Sequence, residues 1–158
     1  MLINRVKIYT NLDKEKTSFV DKTNTVHIET ESIGNKQSTI CCFLNCSSPL
    51  SESKDYKTLT KVFEKLMLRI ENVFVVNVKD CKSINFIHFI HEYNFSKIFI
   101  FGEDAMLNDI PIRLNKFVPS TYELYHIMLT ENLLTLIESK DEAIKRKSWD
   151  SIKDFYKL

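Results

Sequence analysis

Glu103 and Asp104 are adjacent carboxylates directly after an apolar run, Lys97-Ile-Phe-Ile-Phe101, and its closing Gly102. Paired carboxylates can move protons or hold a divalent cation. Asn45 and Ser47 follow an earlier apolar run, Thr39 to Cys46. In open α/β sheets ligands bind beyond the carboxyl ends of parallel strands. Asn45, Ser47, Glu103 and Asp104 are therefore candidates for one crevice, with His126 as a further titratable group; loop solvation and capping is the simpler use of the same residues. His88 and His91 stand three apart on a predicted helix and could share a face. A metal would need more ligands, which Cys81 and Glu92 are poorly spaced to supply, so both read as ordinary histidines.

Several chemistries are excluded or disfavoured by residue type. With Gly34 and Gly102 as the only glycines, neither a Walker loop nor a dinucleotide fingerprint can be written. The sequence by itself assembles no Ser/His/Asp or Cys/His triad. Cys41, Cys42, Cys46 and Cys81 read as reduced core thiols in an intracellular protein. Cys41 and Cys42 point to opposite faces of a strand, which argues against a shared metal. We expect no metal and no cofactor. Lys145-Arg-Lys147 with Trp149 and Tyr156 resembles a basic–aromatic strip. On a helix, the aromatics would pack inward and leave the cations as a solvated face.

These residues need a scaffold, and the hydrophobic patterning supplies one. Thr39–Cys46, Val73–Val78 and Lys97–Phe101 are short apolar runs suited to strands buried on both faces. Between them lie two helical patterns. In Ser51–Ile70 the residues Leu59, Val62, Phe63, Leu66, Met67 and Ile70 form one stripe, with Ser51 or Ser53 as N-cap. Ser83–Tyr93 has Ile84, Phe86, Ile87 and Ile90 as its inward set. Strands separated by single helices predict parallel pairing and an α/β sandwich. Further on, Ile112–Val118 alternates as an extended segment, and 119–121 reads as a turn. Leu124–Leu129 reads as a fourth core strand, with a short helix as the alternative, Glu131–Leu136 as a turn into a short helix, and 141–156 as a last helix with Trp149, Ile152 and Tyr156 on one face.

At 158 residues the chain is read as a single α/β domain over 38–158, preceded by an N-terminal arm or edge hairpin over 1–37. Weak alternation at Arg5–Tyr9 and Thr25–Glu29 fits such a hairpin. The net charge of +1 makes no electrostatic case for nucleic-acid binding. No apolar stretch of about 20 residues predicts a membrane span, and the first residues lack a signal-peptide pattern. The expected compartment is the cytoplasm.

Two stretches resemble known proteins. Lys97-Ile-Phe-Ile-Phe-Gly-Glu-Asp-Ala105 resembles the strand-Gly-x-x-Ala segment of the uracil-DNA glycosylase superfamily, whose strand ends beside the base pocket. The resemblance implies a three-layer α/β sandwich with a mainly parallel central sheet. Where those enzymes carry a His-Pro-Ser-Pro loop, this chain has Leu129-Thr-Glu-Asn-Leu-Leu134. Where they carry a water-activating loop, it has Asn45-Cys-Ser-Ser-Pro-Leu50. Glycosylases need such groups to hold a flipped base, so the fold without the activity is expected. The C-terminal stretch is similar to a non-enzymatic family of that fold, the psi subunits of bacterial DNA polymerase III. It has a Leu-x-x-Leu-like turn (Leu133, Leu136), basic residues before a Trp (Arg146, Trp149) and an aromatic end (Phe155, Tyr156). That resemblance implies a scaffold subunit in clamp-loader assembly, with the loader and a chi-like subunit as protein partners and only indirect contact with DNA. Residues 1–37 would correspond to a partner-binding tail. Val6, Ile8, Tyr9 and Phe19 are candidate partner contacts in that stretch, with no contact residue carried over from the family. The competing expectation is a divergent enzyme of the same fold acting on nucleic acid or a nucleotide through Glu103, Asp104 or His126. A receiver-like module is disfavoured by Asn45-Cys-Ser after the first strand.

Overall fold

Each apolar run forms a strand, and the helical patterns between them become crossovers. The computed structural model describes residues 3–11, 14–21, 27–81 and 84–158, with side chains from Thr30 onward. Four parallel strands form the centre: β4 (Ile40–Leu44), β5 (Phe74–Asn77), β6 (Lys97–Phe101) and β8 (Tyr125–Thr130). Antiparallel strands extend both sides. β1 (Ile3–Asn11), β2 (Lys14–Asp21) and β3 (His27–Gly34) continue the sheet beyond β5, and β7 (Ser120–Tyr122) closes it beyond β8. The order is β1-β2-β3-β5-β4-β6-β8-β7.

Successive strand residues face opposite ways, so the sheet carries two cores. Cys41, Phe43, Ile98, Ile100 and Ile127 pack with Phe86, Phe89 and Ile90 of α2 (Phe86–His91). Cys42, Leu44, Phe99, Phe101 and Met128 face the other layer. That layer consists of α1 (Lys54–Lys65), α3 (Leu133–Glu138) and α4 (Glu142–Lys157). Phe99 anchors it, meeting Phe155 edge-on at 4.8 Å and Phe63 at 5.8 Å. Each such ring contributes about 1.5–3 kcal/mol through burial. The two crossover helices lie on opposite faces, as right-handed connections to opposite sides of β4 require.

Four features depart from the sequence expectation. The first helix stops at Lys65, because Met67 takes the left-handed conformation (φ 59) and the Leu68 amide returns to the Phe63 carbonyl. That turn leaves Met67 93% exposed, not in the apolar stripe. The second helix begins only at Phe86, where the Asn85 side chain accepts the His88 amide. This phase turns Phe89 inward and leaves Ile87 half-buried. Residues 112–118 form no strand. Pro111 precedes them, Phe117 is left-handed (φ 61), and Ile112 and Leu114 still pack on the α2-side core. The chain is extended instead at Ser120–Tyr122, where a turn was expected. Among the described residues no helix is long and apolar enough to cross a membrane.

Candidate functional site: the strand ends and a helical groove

β4 lies between β5 and β6, so the chain's path reverses between β4 and β6. That switch point is where an open α/β sheet offers a crevice. Asn45 and Asp104 do meet there: the Asn45 side-chain amide donates to the Asp104 carbonyl at 2.9 Å. Ser47 is exposed on the same loop. The Glu103–Asp104 pair separates. Glu103 turns to Lys116 at 3.7 Å, and Lys116 also binds Glu131 at 2.7 Å. The hydrogen bond from Lys116 to Glu131 holds its ammonium pKa above the ordinary value. Asp104 faces another carboxylate, Asp55 in the first turn of α1. Asp55 is only 8% exposed; burial raises its pKa, and the charge of Asp104 raises it further. Sequence reasoning missed Asp55, because an acid in a first helical turn reads as a complement to the helix dipole.

A second polar cluster closes the loop after β4. The Glu31 carboxylate of β3 accepts the Ser48 hydroxyl at 2.7 Å and the Leu50 amide at 2.6 Å. The buried Asn77 side chain donates to the Cys46 carbonyl at 3.0 Å and accepts the amides of Cys46 and Lys79. Its only sequence signal was one amide in an otherwise apolar strand. These groups hold protein backbone.

His126 lies elsewhere. It is the second residue of β8, opposite Lys97 in the parallel register, at the amino end of the sheet. Its Nδ1 is 3.3 Å from the Thr121 hydroxyl. Parallel strands put their carboxyl ends together, so an early β8 residue cannot reach a crevice beyond Phe101. His91 meets Glu123 at 3.3 Å. Among the described residues no three His, Cys, Asp or Glu side chains are grouped to hold a metal. Cys41 and Cys42 sit in the two opposite cores. Burial is the main cause that pushes the thiols of Cys46 and Cys81 up, to about 11 and about 12, so both are protonated at neutral pH. Val6, Ile8, Tyr9 and Phe19 fall on β1 and β2, and their side chains lie outside the described residues.

The described surface also carries an apolar groove of about 240 Å³ between α1, α3 and α4. Its walls include Val62 of α1, Leu133, Leu136 and Ile137 of α3, and Trp149 and Ile152 of α4. α3 is six residues long, and Asn132 caps it by accepting the Leu134 amide. Leu133 goes into the core, which leaves Leu136 and Ile137 along the groove. The buried Ser148 hydroxyl donates to the Ile144 carbonyl at 2.7 Å, so it adds no free donor to the floor. Trp149 and Tyr156 were expected to pack inward. They are half-buried, and the fully inward residues of α4 are Ile152 and Phe155. The ammonium groups of Lys65 and Lys153 stand 5.8 and 5.9 Å from the Trp149 ring centre. Lys145 lines the groove and pairs with Glu142 at 3.3 Å. Val62 and Ile137 were missed as site residues. The available signal was Leu133, Leu136 and Ile137 at i, i+3 and i+4, more apolar side chains than so short a helix uses in packing. No protein-family model matches the chain, and a search of curated proteins finds no relative.

Proposed function

We propose that the chain is a non-catalytic adaptor similar to the psi subunits of bacterial DNA polymerase III, joining a clamp loader to a chi-like partner. One observation carries this reading. Leu133, Leu136 and Trp149, three of the residues behind the psi resemblance, converge on one apolar groove. An apolar groove between helices is a shape that receives side chains inserted by a partner helix. The finer assignment of the fold as uracil-DNA glycosylase-like draws support from four central parallel strands between helical layers. It also draws support from Gly102-Glu-Asp-Ala105 directly after β6. At the strand ends, the Asn45 amide and the Glu31 carboxylate are engaged with protein groups. The test is affinity purification of the tagged chain from its native host. Clamp-loader and single-strand-binding components are expected in the eluate. Their absence, with the tagged chain recovered folded, would overturn the reading.

A second reading, an enzyme of this fold acting on nucleic acid or a nucleotide, is favoured by one observation. A buried carboxyl group with a raised pKa, Asp55, faces Asp104 at the switch point. Base release from uracil-containing DNA, abolished by Asp55→Asn, would replace the adaptor by this enzyme.

A further inference from the structure

The shape and the charge of the α1–α3–α4 groove together specify its occupant. We infer, on the basis of the adaptor reading, that it receives an amphipathic helix of a partner protein, with apolar side chains along one face and carboxylates flanking them. At about 240 Å³ the groove is smaller than the usual range of cofactor and small-molecule pockets, roughly 300–1,000 Å³, and suits inserted side chains. Its walls are helices, so an added strand has no backbone edge to pair with. An amphipathic helix needs only an apolar trough.

Charge selects among such helices. Three lysines surround Trp149: Lys65 and Lys153 over its ring, and Lys145 in the groove wall. Lys65 has no carboxylate partner among the described residues. Lys145 and Lys153 pair with Glu142 and Asp150, which are solvent-exposed. A partner's carboxylates would complement Lys65 directly and compete for the other two. A cationic helix would meet uncompensated repulsion at Lys65 and would gain nothing from Lys145 and Lys153, whose charges Glu142 and Asp150 only partly screen at exposed positions.

Trp149 is the chain's single tryptophan, so its emission reports the groove directly. The probes are two synthetic helical peptides without Trp, with identical leucines at i, i+3, i+4 and i+7. One carries flanking Glu and the other flanking Lys. Titrated into the full chain, the Glu peptide should shift Trp149 emission saturably, and the Lys peptide should bind roughly tenfold more weakly, as a few exposed ion pairs allow. Lys65→Glu with Lys153→Glu should reverse that order, and Leu136→Glu should abolish both responses while leaving the far-ultraviolet spectrum intact. Equal binding of the two peptides, no response to either, or self-association that shifts Trp149 without peptide would each overturn the inference. If the peptides fail while clamp-loader proteins still co-purify, the adaptor acts through another surface. If the charge rule holds but no replication protein co-purifies, the groove stands and the psi-like assignment falls.

Discussion

The two glycines differ in what a side chain would meet. Both adopt positive φ, Gly34 at 101° and Gly102 at 100°. A Cβ at Gly34 would lie 1.9 Å from the Val73 carbonyl oxygen, which is backbone and accepts the Asn35 amide. At Gly102 the nearest atom is Oδ1 of Asp104, at 2.6 Å, and that side chain can move. Gly34→Ala should therefore cost about 3 kcal/mol or more and Gly102→Ala about 1–2 kcal/mol in urea unfolding. The thiols set an alkaline limit. A group whose folded pKa exceeds its unfolded value stabilises the fold below the unfolded value and loses that contribution as pH rises through the folded one. For Cys46 and Cys81 the window runs from 9.0 to about 11 and about 12. Melting temperature should fall above pH 9, and less steeply in Cys81→Ala. Asp55 obeys the same sign from 3.8 upward, so its ionised form costs stability at neutral pH. Asp55→Asn should raise the melting temperature at pH 7 and leave it unchanged at pH 3.

Elements were legible where a short-range rule decided them. The strand Lys97–Phe101 and the Ser53 cap of α1 follow from apolar runs and capping chemistry. What was not legible depended on φ values and neighbours. Met67 and Phe117 turn left-handed without a glycine to announce it, and the second of these turns interrupts the alternating segment 112–118. Ser53 is buried; it accepts the Tyr56 amide and donates to the Leu50 carbonyl at 2.7 Å. Ser53→Ala should cost about 1–2 kcal/mol. On α4, Phe155 is fully buried against Phe99, and Phe155→Ala should cost about 3–5 kcal/mol by calorimetry or denaturant. Trp149→Ala, at a half-buried position, should cost less than half as much, so the stability contributed by α4 lies mainly on its Phe155 edge.

At the scale of the whole molecule, the parallel core could be read from strand–helix alternation. The joining of β3 to β5 and the collection of α1, α3 and α4 into one groove could not, because both depend on contacts distant in sequence. Of the residues singled out for a crevice, Asn45 meets the Asp104 carbonyl and His126 sits at the far end of the sheet, while Asp55 emerges only once α1 packs against the sheet. The proposed adaptor role of this α/β body is assigned to its helical groove. The most direct measurement is quantitative co-purification from the native host with the wild-type chain and with Leu136→Glu, both verified as folded by thermal melting. Clamp-loader components are predicted with the wild type, and at least a roughly tenfold loss with the variant, as expected when charge is buried in an apolar contact. Equal recovery with both chains would take the contact away from the groove, and no replication protein with either would contradict the adaptor role.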